Sequence, residues 1–300
     1  MMQKKIMKRI AMMLAVTLMV PTGMVVNTKD VKAKTVGNVV REAEALPQVT
    51  TVGNEETTTS GNTAPTTEAP TTENPTTEEP TTSVNYEIID GVYKVKDNVL
   101  IEYLGDERDE DVTSLVIPAS IQKIDAQVFR GCKYIEKITF EASSSLTEIS
   151  DYAFNGCSAL KTIVLPNGLK KFGYRVFKKC TSLTEITIPN TVTEGNQICG
   201  IDGAIKKVTF KDGITVIPAK ILRKAYTLES VSLGSAVTEI DTYAFESCKS
   251  LKSVSLPSTV TKIGNYAFRG CEKMTKFTMS KNINTIGSQA FKKCSSLNSL

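Results

Sequence analysis

The chain has 300 residues, 36 Lys and Arg against 32 Asp and Glu, a formal net charge of +4, and neither His nor Trp. Without His there is no His-dependent triad and no imidazole metal ligand, which removes much hydrolase and zinc chemistry. Without Trp, a stacking platform for sugars would have to rest on Tyr or Phe side chains.

Residues 1–33 read as an export signal. Lys4, Lys5, Lys8 and Arg9 precede an apolar run from Ile10 to Val26, broken at Pro21, and Val31-Lys32-Ala33 offers small residues for cleavage. The competing reading is an uncleaved membrane anchor, since this run lies at the short limit for spanning a bilayer. No cysteine precedes Cys132, so a lipid-modified N-terminal cysteine is excluded. The segment carries six basic side chains and one acid, so residues 34–300 have a net charge of −1. The overall basic balance belongs to the signal.

Residues 34–83 are poor in large apolar side chains, and Thr66 to Pro80 is three copies of a five-residue Thr/Pro/Glu unit. Such a sequence buries too little apolar surface to offset its chain entropy and is expected to be an extended linker. Its eight acids against two bases stiffen it by self-repulsion. Residues 84–111 change texture. "YEIIDGVYKV" places Asp90-Gly91 between apolar runs, a hairpin signal, and "NVLIEYLG" adds a third strand-like run. This predicts a small β cap that shields the first edge of the C-terminal region.

From residue 112 a unit of about 23 residues repeats. Cys132, Cys157, Cys180, Cys199, Cys248, Cys271 and Cys294 mark one unit each, and Ala225 stands 23 residues before Cys248. That makes eight units. The fourth, Asn190 to Phe210, is degenerate, lacking a Phe three residues before Cys199. A period of 20–50 residues predicts a solenoid, in which no unit buries its apolar face without neighbours. Within a unit the apolar positions read L-x-x-I-x-I-P, as in Leu183, Ile186, Ile188 and Pro189. The alternation suits a short strand that Pro terminates. A second short run comes next, such as Val260-x-x-Ile263, and then a turn-like stretch ending in Ala-Phe.

These residues resemble the bacterial leucine-rich repeats called BspA-like or Treponema pallidum-type, with the consensus L-x-x-I-x-I-P-x-x-V-x-x-I-G-x-x-A-F-x-x-C. The resemblance covers residues 112–300. It implies an α/β leucine-rich-repeat solenoid, curved, with a parallel sheet of short strands along one face. It also implies a secreted or cell-surface bacterial protein engaged in adhesion.

The row of cysteines admits disulfides, a metal site, a nucleophile, or packing. Parallel side chains in a regular stack leave Cβ atoms nearly as far apart as neighbouring strands, about 4.8 Å, where a disulfide wants about 3.8 Å. A straight row does not wrap a zinc ion, and nothing beside the repeating Phe activates a thiol. Packing is the favoured reading, with one or two local disulfides the alternative. Phe129, Phe154, Phe177, Phe245, Phe268 and Phe291 are assigned with the cysteines to the core. Ala225 fits a packing position and not a ligand position.

Two surfaces are candidates for binding. On the sheet side the outward positions are Lys137, Thr162, Glu185, Lys207, Ser230, Ser253 and Lys276, and next to them Thr139, Val164, Thr187, Thr209, Ser232, Ser255 and Thr278. The second row is a ladder of small hydroxyls with one Val, suited to a polar extended partner; equally, Thr and Ser make a soluble strand face. The other candidate comes from charge. Residues 112–300 hold 25 bases and 14 acids, a net of +11, against −6 for the cap. Arg130, Lys178, Lys179, Arg223, Lys224, Arg269, Lys292 and Lys293 fall between the Phe and Cys markers and predict a basic stripe, interrupted at Asn155 and Glu246. A sulfated glycan, teichoic acid or nucleic acid would suit it; a solvated edge that keeps the repeats soluble is the plainer reading.

No phosphate loop, paired catalytic carboxylates or metal cluster stands out, so no cofactor and no catalysis are expected. The expected function is a binding module, an adhesin or receptor for a host or microbial surface protein or polysaccharide. Contact with the membrane is expected only through the signal. The alternative is a scaffold domain of a longer surface enzyme, because "LNSL" at 297–300 reads as a strand that stops inside its unit.

Overall fold

The computed structural model describes residues 86–106 and 110–298. The signal at 1–33 and the linker at 34–83 lie outside the described residues. Three antiparallel strands open the fold: β1 (Glu87–Ile89), β2 (Tyr93–Lys96) and β3 (Val99–Tyr103). Asp90 and Gly91 turn the first hairpin with φ of 53° and 69°, Asp97 and Asn98 the second with 51° and 63°. Positive φ at both central residues is the type I′ geometry that matches strand twist.

Each coil beyond the cap contributes two strands. The first sheet is built from β4 (Ser114–Ile117), β6 (Lys137–Phe140), β8 (Thr162–Ile163), β10 (Glu185–Ile188), β12 (Lys207–Phe210), β14 (Ser230–Ser232), β16 (Ser253–Ser255) and β18 (Lys276–Thr278). The second is built from β5 (Lys123–Ile124), β7 (Glu148–Ile149), β9 (Lys171–Tyr174), β11 (Glu194–Asn196), β13 (Val216–Ile217), β15 (Glu239–Ile240), β17 (Lys262–Ile263) and β19 (Thr285–Ile286). Where coils pair they pair in parallel, as in Ser253↔Lys276 and Lys262↔Thr285, with the ladder broken between β8 and β10 on the first side and between β11 and β13 on the second. The cap joins the second sheet, with β3 parallel to β5, and Tyr93 Oη donates to Val116 O at 3.0 Å to hold it to the first. On the second sheet Lys123, Glu148 and Lys171 alternate in charge, with 3.5 Å contacts on both sides of Glu148.

The α/β description needs correction: no helix occurs among the described residues. The reason lies in two left-handed positions per coil. Gln127, Tyr152, Arg175, Gln197, Lys220, Tyr243, Tyr266 and Gln289 form one row, with φ between 51° and 62°; Gly131, Gly156, Lys179, Lys224, Ser247, Gly270 and Lys293 form the other, four residues on. A residue at positive φ breaks an α-helix, so each coil closes as a pair of tight turns.

Between the sheets the apolar side chains are buried, among them Leu146, Ile149, Leu183, Val208, Ile240 and Val260. The Phe side chains stack in a column: Phe129–Phe154 at 5.2 Å, Phe154–Phe177 at 5.7 Å, Phe245–Phe268 at 5.1 Å and Phe268–Phe291 at 5.6 Å, all within 10° of parallel. Tyr103 of the cap extends the column, its ring 5.3 Å from Phe129. The column is interrupted where Cys199 and Leu222 replace Phe. Gln197 stands in the first left-handed row, two residues before Cys199, as Arg175 stands two before Phe177. Cys199 therefore occupies the Phe position of its coil and not the Cys position, which corrects its use as a unit marker.

Coil length is not uniform. The first apolar position falls at Ile135, Leu160, Leu183, Ile205 and Leu228, giving lengths of 25, 23, 22 and 23 residues. The longer coil has two extra residues between Phe140 and Leu146; the shorter one lacks a residue between Val192 and Gln197, where the register of β11 against β9 also shifts.

Candidate functional site

The cysteines Cys132, Cys157, Cys180, Cys199, Cys248 and Cys271 are buried and Cys294 is half-buried; all seven are free thiols. Cys157 Sγ donates to Phe129 O at 3.1 Å, Cys180 Sγ to Phe154 O at 3.1 Å, Cys248 Sγ to Leu222 O at 3.2 Å and Cys294 Sγ to Phe268 O at 3.1 Å. Each of these four thiols thus caps a carbonyl of the preceding coil where the chain turns. Contact with the Cys180 thiol, and after it burial, holds Cys157 well above the usual thiol range, and burial does the same for Cys248. Burial pushes Cys199 up to about 12. Cys294 is shifted the other way by its contact with Cys271. Among the described residues no group of three or more Cys, Asp or Glu side chains could hold a metal ion.

The sheet-face residues point outward as two rows on the first sheet. Lys137, Thr162, Glu185, Lys207, Ser230, Ser253 and Lys276 are exposed, as are Val164, Thr187, Ser232, Ser255 and Thr278; Thr139 and Thr209 are half-buried. Lys207 Nζ lies 3.3 Å from Glu185 Oε2, so two members of the first row compensate one another. A third row, missed in the sequence, runs just before the strands. There Lys161 pairs with Glu136 at 2.8 Å, and Glu229 lies between Lys252 and Lys206. The contact with Lys252 lowers the Glu229 carboxyl below its ordinary value. The signal for this row was the alternation of charge at one fixed offset from coil to coil.

The first sheet is interrupted once, between β8 and β10. Elsewhere the residue before each strand donates to the coil before it: Lys161 N to Glu136 O, Lys206 N to Thr184 O, Glu229 N to Lys206 O and Lys252 N to Glu229 O, each at 2.7–3.1 Å. No matching bond joins Thr184 to Lys161 among the described residues. A hollow of about 450 Å³ spans this break, lined by Thr162, Val164, Glu185, Thr187 and Lys211 among others. A second hollow of about 370 Å³ adjoins it through Val164, Leu165 and Lys211, with Glu141, Ser143 and Ser144 of the lengthened loop on its far side. Lys211 reaches across an intervening coil, and its Nζ donates to Asn167 Oδ1 at 2.7 Å.

The basic residues are less continuous than their spacing predicts. Glu246 is buried and takes Arg223 Nε on one oxygen and Arg269 Nη1, at 3.6 Å, on the other. The same guanidinium groups lie over the stacked rings of Tyr243 and Tyr266. Arg130 Nη1 donates to Gln127 Oε1 at 2.6 Å. Lys178 with Lys179, Lys224, and Lys292 with Lys293 are left as separate positive points. The structure gathers Arg223, Glu246 and Arg269 into one cluster and leaves the other basic residues apart.

The sequence matches the family model described as the BspA type leucine rich repeat region, in six copies over residues 107–229 and 216–300. The chain belongs to the BspA-type leucine-rich-repeat family. Among solved structures it is similar to the leucine rich repeat protein TpLRR of T. pallidum, with 24% identity over 73% of this chain and 90% of that one and a TM-score of 0.46. A leucine-rich repeat protein from Eubacterium ventriosum shares 23% identity over 63% of this chain and 60% of that one, with a TM-score of 0.48. A leucine rich cell surface protein from Faecalibacterium prausnitzii shares 17% identity over 70% of this chain and 93% of that one, with a TM-score of 0.34. No curated protein matches the chain. Family membership makes the chain a leucine-rich-repeat module.

Proposed function

We propose that this BspA-type chain is exported, displayed at a bacterial surface, and acts there as an adhesin or receptor that holds a surface protein or polysaccharide on the outward face of its first sheet. The observation that carries this reading is the face itself. Two runs of coils, β4 to β8 and β10 to β18, hold outward Thr, Ser and Lys side chains in register, with hydroxyl-bearing pairs opposed at Thr187↔Thr209 and Thr209↔Ser232. Within each run, a partner crossing the strands meets similar polar groups at intervals of about 4.8 Å, so many weak hydrogen bonds can be made at once. The family assignment supports the same role.

The test is a binding screen of the full chain against host matrix proteins, bacterial and plant polysaccharides, and heparin, with a Thr187→Lys, Ser232→Lys, Ser255→Lys variant in parallel. Saturable binding by the native chain that this variant loses supports the sheet face. Binding that the variant retains excludes the face as the contact surface, and heparin binding that fades with salt points to the basic residues instead.

A further inference from the structure

We propose that Asn167 is a site of spontaneous deamidation and that the fold keeps the resulting carboxylate by pairing it with Lys211. The proposal is independent of the reading of the first sheet as a binding face.

The sequence contains Asn-Gly twice, at Asn155-Gly156 and at Asn167-Gly168. Gly leaves the main-chain nitrogen after Asn open to the Asn side-chain carbon, because no β-carbon stands beside it. The sequence treats the two pairs alike. The structure does not. Asn155 and Gly156 belong to a turn that closes a coil, and the peptide group they share is bonded on both sides: Gly156 N donates to Lys178 O at 2.8 Å, and Asn155 O accepts from Gly131 N at 2.9 Å. Gly156 is held at a φ of 82°, and Asn155 Oδ1 is buried. That nitrogen is already engaged by a neighbouring coil.

Asn167 and Gly168 are both exposed, at the centre of the turn that Leu169 N closes on Pro166 O at 3.2 Å. Among the described residues Gly168 N donates to no acceptor. Two contacts favour reaction here. Thr191 Oγ1 donates to Asn167 O at 2.6 Å, which polarises the peptide group and makes its N–H a better acid. Lys211 Nζ donates to Asn167 Oδ1 at 2.7 Å, the atom on which negative charge collects when the amide carbon is attacked.

Gly168 N, having given its proton to hydroxide, attacks Asn167 Cγ. The new C–N bond closes a succinimide ring as the Cγ–Nδ2 bond breaks, and Nδ2 takes up a proton and leaves as ammonia. Water then opens the ring at either carbonyl, giving Asp or isoaspartate at 167. The Asp carboxylate lies where Lys211 already reaches, so a hydrogen bond to a neutral amide becomes an ion pair with the shorter, stronger contact of two charged partners. Glu141 lines the same hollow, with its Oε2 taken by Ala119 N at 2.9 Å. Without Lys211 the new charge would face that carboxylate alone.

The experiment is peptide mapping by mass spectrometry of the full chain during incubation at pH 8, with isoaspartate measured by an isoaspartyl methyltransferase. In the folded chain, conversion at Asn167 is expected to run at least about tenfold faster than at Asn155, and unfolding in urea should release Asn155 from its protection. Gly168→Ala is expected to slow conversion by about tenfold. That variant should fold, since its β-carbon would come no nearer than 3.4 Å to Leu146 O. Lys211→Met should slow conversion by at least about twofold. Asn167→Asp is expected to melt no lower than the native chain, and to melt lower than Lys211→Met when the two substitutions are combined. No conversion at Asn167, or equal conversion at Asn155 in the folded chain, overturns the proposal. Faster conversion in Lys211→Met would show that the lysine restrains the amide, and a lower melting point of Asn167→Asp alone would show that the carboxylate is not held; either overturns the part given to Lys211. A peptide crosslinked between Asn167 and Lys211 also overturns deamidation, because Nζ would then have taken the carbonyl in place of Gly168 N.

Discussion

Gly195 and Ile221 share one space. A Cβ on Gly195 would lie 2.6 Å from Ile221 Cγ1 and 3.0 Å from its Cβ. The short coil has lost the buried residue that Phe172 supplies one coil earlier, and Ile221, standing where four of the eight coils have a small Ala, fills the space over Gly195. Replacing Gly195 by Ala is expected to cost about 1–3 kcal/mol through overpacking. Ile221→Ala alone is expected to cost about 2–5 kcal/mol by leaving a cavity. The double variant should be no less stable than Ile221→Ala, because the new methyl enters the cavity. Urea unfolding of the four proteins checks this; strictly additive costs would show that the two positions are independent.

The Phe column should be strongest where a ring is stacked on both sides. Phe154 lies between Phe129 and Phe177 and is fully buried, whereas Phe291 stacks on Phe268 and is half-buried. Truncation of a buried Phe to Ala costs about 3–5 kcal/mol, and each lost ring pair adds about 0.5–1.5 kcal/mol. Phe154→Ala is therefore expected to destabilise the array at least twice as much as Phe291→Ala in denaturant melts. Equal losses would mean that stacking adds nothing to burial.

Thiol reactivity should divide the cysteines. At pH 8 a disulfide reagent is expected to modify Cys294 quickly, because that thiol is half-buried and titrates below its ordinary value. All seven should react once the chain is unfolded. Cys294→Ser should remove the fast phase, and a persistent fast phase in that variant would mean that another thiol is accessible.

The same burial sets an alkaline limit. Cys199 is raised from 9.0 to about 12 in the folded chain, so the folded state holds its proton where the unfolded chain releases it. Its stabilising share is full below pH 9 and is lost as pH rises through about 12, at roughly 1.4 kcal/mol per pH unit. Cys199→Ala should make the loss of stability between pH 9 and 11 shallower, as read from unfolding midpoints. An unchanged slope would show that other groups govern it.

Glu246 holds two guanidinium groups from neighbouring coils. Its side chain is 8% exposed and those of Arg223 and Arg269 are 29% and 36% exposed, so the arginines keep part of their hydration. Glu246→Gln removes the charge while keeping the shape, and is expected to cost about 1.5–3 kcal/mol, the range for hydrogen bonds to charged groups. Arg223→Met in that background should recover part of the loss, since one uncompensated cation leaves. Heparin affinity of Glu246→Gln should rise if the arginines are released toward solvent.

Much of the fold was legible because a repeat states its own rules. Leu251, Val254 and Leu256 alternate before Pro257, which is enough for one strand and its end, and 23-residue spacing stacks that strand on the next. The hairpin at Asp90-Gly91 was legible from its dihedral demands. The candidate face could be read as two rows, but not the gap within it. Thr162, Glu185 and Thr187 look ordinary in sequence, and nothing local marks Thr184 N–H as unbonded to Lys161. Cys199 is misplaced by spacing alone, because a Cys near the marker position imitates the marker, whereas its left-handed neighbour Gln197 sets its position.

The sequence by itself determined the periodicity, the inward and outward sides of each strand, the cap, and the packing role of the thiol row. These arise from local rules of alternation, turn chemistry and burial that each coil satisfies alone. Only the tertiary structure decided that each coil closes without a helix, that Glu246 draws Arg223 and Arg269 into one cluster, and that the strand ladders break between β8 and β10 and between β11 and β13. Each of these depends on how one coil meets the next, which no single repeat unit states by itself.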